Sequence, residues 1–305
     1  MRYARWWVCL LVVAAVLMSW SLTRQQIAAV DISFADTEPV PGYEPDRRET
    51  PLKIAMISVL NHQDTARYQK ELAEGLGRLP HRPVLLLRRK SYMEINQLLS
   101  KGDADIGLLS TGAYCVYGRK EDFALLAMQE RNKCPYYYGY VIVSAKSSLQ
   151  TLDDLRGKRF AYVDPLSYSG YLGLQEKLRK AGEVPEQFFQ SVYFTYSHDT
   201  SIRAVLNDFA DGAVVDSLAY EYLQKYEPEQ AAGIRIIETL PPRGTSPVVA
   251  RKGLAGVDRI QEALLHLQDD PEAGKAMEHL LIDRFILPQP DLYPPIEWRE
   301  REGNG

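Results

Sequence analysis

The sequence holds no Gly-x-Ser-x-Gly nucleophile elbow, no phosphate-binding loop ending in Gly-Lys-Ser/Thr, no His-Glu-x-x-His and no dinucleotide glycine fingerprint. Enzyme readings therefore have nothing local to stand on, and no catalytic residue is expected. Histidine is scarce: of five, only His62 and His198 fall in loops that follow expected strands. Cysteine is scarcer, at three, and no His lies near Cys115 or Cys134, which argues against a zinc site. No metal and no cofactor is expected. Surplus charge is also missing: 36 Lys and Arg stand against 40 Asp and Glu, a net charge of -4. Such a balance gives no electrostatic footprint for gripping a polyanion, so nucleic acid is an unexpected partner.

What is present is enough apolar material, 46% of 305 residues, to bury one large core or two ordinary ones. Arg2 and Arg5 precede an uncharged run from Trp6 to Thr23, which reads as an export segment over residues 1–24. Ser19 and Ser21 are small enough to flank a cleavage site, while the run is nearly long enough to span a bilayer, so signal peptide and membrane anchor both stay open. Either places the remainder in the periplasm or at the outer face of the cytoplasmic membrane. Cys9 lies in the run as a small hydrophobe. Cys115 and Cys134 form a possible disulfide that would contribute about 3 kcal/mol in an oxidising compartment. Two separate buried thiols are the alternative.

Residues 25–50, with Asp36, Glu38, Pro39, Pro41, Gly42 and Pro45, have the composition of a linker, and residues 299–305 that of a disordered tail. Between them the pattern alternates. A strand is expected over Lys53–Val59, a helix over Thr65–Leu79 and a strand over Val84–Leu87. Ser91 with Glu94 reads as a capping box opening a helix that Gly102 ends, before a strand at Ile106–Leu109. The same order returns with a strand at Arg159–Val163, a helix at Gly170–Lys180, a strand at Ser191–Thr195, a helix at Thr200–Phe209 and a strand at Ala213–Val215. A faint internal echo sets Ala104–Tyr114 beside Ala210–Tyr220. The fold class expected is α/β: two similar three-layer αβα lobes joined by a two-strand hinge. The first lobe is assigned residues 51–142 and 247–298, the second 143–246, with the hinge strands at Tyr136–Ser144 and Pro247–Ala250.

The informative segment is Asp164-Pro-Leu-Ser-Tyr-Ser-Gly-Tyr171, which follows a strand and opens a helix. In open α/β sheets ligands collect at the carboxyl ends of strands, where helix N-termini present unpaired N–H groups. Ser167 and Ser169 add hydroxyls, Tyr168 lies between them, and Gly170 lets the backbone approach closely. A plain N-cap serine is the bland reading, and it is compatible with binding. Ser110, Thr111 and Tyr114 follow the third strand of the first lobe, and Ser197-His198 follows a strand of the second. These neutral groups would converge on one cleft and hold an oxyanion without a cationic side chain. Asp216 would add a negative charge, suited to a ligand that also carries an amine, or would merely cap the helix from Leu218. Tyr136, Tyr137, Tyr138 and Tyr140 read as a strand alternating between core and surface rather than as an aromatic wall.

At these residues the chain resembles the periplasmic substrate-binding components of phosphate, phosphite and phosphonate ABC transporters. The likeness is carried by Leu155-Arg-Gly-Lys158, Asp164–Gly170, Ser197-His198, Ser246-Pro-Val-Val249 and Ile282-Asp-Arg-Phe285, in consistent order from about Pro51 to Trp298. It implies a type II periplasmic-binding fold with the oxyanion at the helix start after Ser167 and Ser169, and His198 contributing from the same lobe. Where relatives often carry Ser-Thr-Ser, this chain has Ser167-Tyr168-Ser169, and the loop after the first strand reads Leu60-Asn61-His62. The function implied is a monomeric exported protein that captures a small phosphate- or phosphonate-like oxyanion for an ABC importer and its permease. The alternative is a membrane-anchored sensory module signalling to a kinase or receptor.

Overall fold

Alternating burial along the first strand sets the architecture. The computed structural model describes residues 50–57, 65–117 and 120–296, so the export segment, most of the linker, the Leu60-Asn61-His62 loop, Trp298 and the tail lie outside the described residues. In β1 (Leu52–Ile57), Leu52, Ile54 and Met56 enter one core cluster and Ala55 another, as the two-residue period of a strand covered on both faces requires. There follow α1 (Thr65–Arg78), β2 (Val84–Arg89), α2 (Tyr92–Lys101), β3 (Ile106–Leu108), α3 (Thr111–Val116) and β4 (Phe123–Glu130). The chain then runs through β5 (Tyr136–Tyr137), β6 (Gly139–Ser144), β7 (Arg159–Tyr162), a π-turn at Tyr168–Leu172, α4 (Gly173–Lys180), α5 (Pro185–Phe188) and β8 (Ser191–Phe194). Next come α6 (His198–Leu206), β9 (Gly212–Asp216), α7 (Ser217–Tyr226), α8 (Pro228–Ala232) and β10 (Ile234–Thr239). The last elements are β11 (Arg243–Gly244), β12 (Pro247–Arg251), α9 (Val257–Leu265), α10 (Pro271–His279) and β13 (Arg284–Ile286).

The strands form a six-stranded sheet ordered β13-β4-β12-β3-β1-β2 and a five-stranded sheet ordered β10-β6-β9-β7-β8, both within the compact unit Arg48–Gly305. In each, a parallel core (β2-β1-β3, then β8-β7-β9) is extended by antiparallel strands. Leu72 and Leu76 of α1, Ile260 and Leu264 of α9 and Met277 of α10 cover one face of the first sheet, while Ile95 and Leu99 of α2 cover the other. The second sheet is covered by Leu174 and Leu178 of α4 on one face and by Ile202 and Val205 of α6 on the other. Each such fully buried side chain stabilises the fold by roughly 1.5–3 kcal/mol.

The sequence echo has a physical basis. Asp105, just before β3, accepts from the Lys53 backbone N–H and donates its own N–H to the Lys53 carbonyl; Asp211, just before β9, makes the same pair of bonds with Arg159. Each carboxylate thus fixes the start of the neighbouring parallel strand, and each is held by an arginine, Arg251 or Arg159. The Ser91–Glu94 capping box and the left-handed Gly102 (φ 77°) delimit α2 as the sequence indicates.

β6 lies wholly in the second sheet and β12 wholly in the first. Arg243 and Gly244 of β11 pair antiparallel with Tyr137 and Tyr136 of β5 in a separate short ribbon. Cys115 and Cys134 are not joined by a disulfide. Cys115 is buried in α3 whereas Cys134 closes a tight turn with Arg131, so their backbones serve different elements. Among the described residues no helix is long and apolar enough to cross a membrane.

Candidate functional site

The turn after β7 presents a helix start to the cleft between the lobes. Ser167 caps it, its Oγ accepting the Gly170 N–H at 3.0 Å, and Ser169 is as deeply buried. Gly170 is required by space: a Cβ there would lie 2.6 Å from the Val163 Cβ. Burial raises the pKa of both the Asp216 carboxyl and the Tyr137 phenol, and the neighbouring Ser169 hydroxyl offsets part of each shift. Tyr168 does not join this group. Its hydroxyl donates to the Pro241 carbonyl at 2.8 Å and its ring lies under the Arg243 guanidinium, so it ties the turn to the segment beside β11.

His198 opens α6 and is 1% exposed. Its Nδ1 accepts the Asp216 N–H at 3.0 Å, which leaves the proton on Nε2 as a neutral donor. Burial holds the imidazole down to about 3, so it stays uncharged near neutrality. Asp216 caps α7, accepting from Leu218 N–H at 2.8 Å, and burial pushes its carboxyl up to about 7.

The first lobe meets this surface at the backbone. Ser110 donates to the Leu166 carbonyl at 3.3 Å, and Asp164 accepts from the Tyr92 N–H at the start of α2 at 3.3 Å. Leu166 packs with Ile57, Tyr92 and Ala113. Gly112 permits the contact, since a Cβ there would lie 2.3 Å from the Leu166 carbonyl oxygen. Thr111 donates to Gly244 at 2.7 Å, anchoring α3 to the ribbon. Tyr114 turns away and packs edge-on against Tyr293, so it is not in the cleft. Within the tyrosine run Tyr137 is buried and Tyr136 exposed.

A cavity of about 100 Å³ lies between the lobes, with Tyr92, Ser110 and Arg131 on one side and Asp216, Leu218 and Tyr222 on the other. Arg131 adds to the cavity a cation that the sequence reading did not require. Its Nη1 donates to the Leu280 carbonyl at 2.7 Å and its Nε and Nη2 to Gln129 Oε1 at 3.0 and 2.8 Å, which fixes the guanidinium. Desolvation lowers its pKa to about 10, still well charged, and Asp216 and Glu221 are the leading acids in its field. No spacing signal in the sequence marks Arg131 or Tyr92, because only the folded cleft brings them beside Asp216.

The family model described as "ABC transporter, phosphonate, periplasmic substrate-binding protein" matches residues 54–293. The chain belongs to this family. Phosphate-import protein PhnD of Mycolicibacterium smegmatis is 25% identical over 170 residues, 52% of this chain and 53% of that one, so the chain spans about half the length of this curated relative in the match. A binding-protein component of an ABC phosphonate transporter from Pseudomonas aeruginosa superposes with a TM-score of 0.73 at 20% identity, covering 80% of this chain and 83% of that one. PhnD1 from Prochlorococcus marinus, solved in complex with methylphosphonate, gives 0.70 at 17% identity, covering 79% and 94%. These likenesses show the type II periplasmic-binding fold. Membership of a transport substrate-binding family favours the transport reading over the sensory one.

Asp216 and His198 pull stability in opposite directions with pH. Asp216 has its pKa raised from 3.8 to about 7, so the native state binds that proton more tightly than the unfolded chain does, and stability declines as pH rises through this window. His198 has its pKa lowered from 6.5 to about 3, so its contribution is present above 6.5 and declines as pH falls. With Asp216→Asn the melting temperature is expected to rise between about pH 4 and 6.5, and with His198→Gln to fall over that range. Thermal melts of both variants check this; slopes of the same sign in both would contradict it.

Proposed function

We propose that the protein captures a phosphonate, or the related phosphate, in the cleft between its lobes and hands it to the permease of an ABC importer. The observation that supports this most is the pair of buried serines Ser167 and Ser169 at the turn before α4, with neutral His198 buried at the start of α6 and Ser110 on the cavity from the first lobe. Hydroxyl and imidazole donors with a helix terminus stabilise an oxyanion through charge-assisted hydrogen bonds in a desolvated site. Thr111, whose hydroxyl donates to the Gly244 carbonyl, and Tyr168, Gly170 and Tyr114 shape the fold around it. Asp216 adds selectivity: its carboxylate can accept a proton-bearing oxygen of a phosphorus oxyanion, whereas sulfate has no proton to give near neutrality.

In this reading the first lobe comprises residues 51–131 and 247–296 and the second 139–239, with the β5–β11 ribbon as hinge. The protein works as a monomer in the periplasm or at the outer face of the cytoplasmic membrane, carried there by its N-terminal segment. It binds rather than transforms its ligand.

A thermal-shift screen of the purified protein against methylphosphonate, phosphate and sulfate tests the reading. A ligand at 100 times its Kd stabilises by about 2.7 kcal/mol, a shift of several degrees. Methylphosphonate or phosphate is expected to raise the melting temperature and sulfate to leave it unchanged. No shift with either phosphorus oxyanion would remove the proposal.

A further inference from the structure

At the far wall of the cavity, α1 begins with Thr65, which is 1% exposed, and one turn on Gln69 is 7% exposed; both line the cavity. Gln69 Nε2 donates to the Ile57 carbonyl at 3.0 Å, which fixes the amide and identifies Oε1 as the remaining acceptor. Gln69 Oε1 and Thr65 Oγ1 are both buried without a hydrogen-bond partner among the described residues. Buried polar atoms are paired in the great majority of cases, because an unmet one forfeits its hydration. Two of them, four residues apart at a helix start and on one cavity, therefore define a place where a partner from the ligand fits.

The chemistry of that partner follows from the lone pairs. An acceptor oxygen on Gln69 needs a donor, and a threonine hydroxyl can accept one or donate in turn. An ammonium and a hydroxyl both supply donors, but the fixed, charged guanidinium of Arg131 lines the same cavity. In a desolvated space a second cation is disfavoured, and the acids in the field of Arg131, Asp216 and Glu221, already serve as its counter-charges. The apolar remainder of the lining, including Met56, Leu72 and Ile282, suits a short carbon chain.

Resting on the phosphonate reading, we infer that Thr65 and Gln69 form a subsite for a hydroxyl on the organic substituent of the ligand, making hydroxyalkylphosphonates the preferred class. Calorimetry of the purified protein with 2-hydroxyethylphosphonate, 2-aminoethylphosphonate and ethylphosphonate tests this. The hydroxyl compound is expected to bind about tenfold or more tighter than the other two, the ethyl compound leaving both oxygens unmet. In Gln69→Leu and, independently, in the shape-preserving Thr65→Val, the ratio between hydroxyethyl and ethyl compounds is expected to fall toward one.

Equal affinities in the wild type, tightest binding of the amino compound, or an unchanged ratio in both variants would overturn the subsite alone. Absence of binding by every phosphonate would overturn the phosphonate reading and the subsite together.

Discussion

Replacing Ser167 and Ser169 together by alanine is expected to weaken methylphosphonate binding by about a hundredfold or more. Each hydroxyl is a buried donor facing an anion, and hydrogen bonds to charged groups contribute about 1.5–3 kcal/mol apiece, so two account for at least two powers of ten. The variant should remain folded. Ser167 also caps the helix through Gly170 N–H, and loss of a cap costs about 1 kcal/mol of stability, which lowers the melting temperature by a few degrees only. Tyr136→Ala is the control from the tyrosine run: its ring is exposed and stacks edge-on with Tyr138, away from the serines, so affinity should change little. Calorimetry on the two proteins decides. A loss of less than about fivefold in the serine variant would place anion recognition elsewhere in the cleft.

Gly112→Val is expected to prevent the lobes from docking and to weaken the same ligand by about tenfold or more. Gly112 starts the second residue of α3, and a side chain there would meet not a yielding neighbour but the Leu166 carbonyl oxygen at 2.3 Å and the Tyr168 nitrogen at 2.6 Å. Neither backbone atom can give way without disturbing the oxyanion turn, so relief comes from separating the lobes. Separation also costs the Ser110–Leu166 and Asp164–Tyr92 bonds, both of which cross the cleft. Closure contributes to affinity only through contacts that the closed state alone makes, so a protein held open keeps one lobe's share. Small-angle scattering with saturating methylphosphonate should show the variant more extended than the wild type. A variant that compacts and binds as the wild type does would show that α3 and the 164–168 turn need not touch.

Local chemistry made much of the chain legible. Ser91, Glu94 and Gly102 announce α2 because caps satisfy backbone groups that no other residue types reach, and the paired Ala-Asp turns reveal two lobes because each aspartate performs one local task, fixing the adjacent strand. Legibility fails where packing overrides propensity. β4, Phe-Ala-Leu-Leu-Ala-Met-Gln-Glu, is made largely of helix formers, yet it lies between β12 and β13, which supply the ladder it needs. β10 and β13 are edge strands, each held by a single neighbour, β6 or β4.

The oxyanion turn divides the same way. Its serines, glycine and following helix could be read in order, since they serve one strand–turn–helix unit. That Tyr168 bonds to Pro241, that Tyr114 packs on Tyr293, and that Arg131 lines the cavity could not, since each outcome depends on a partner distant in the chain. The sequence by itself determined the α/β lobes, the serine–glycine turn and the family, because periodicity, caps and turns act over a few residues. Only the tertiary structure decided that β5 pairs with β11, that the two cysteines stay apart and that the Arg131 guanidinium shares the cavity with Asp216, because burial and electric field are properties of segments brought together by the fold.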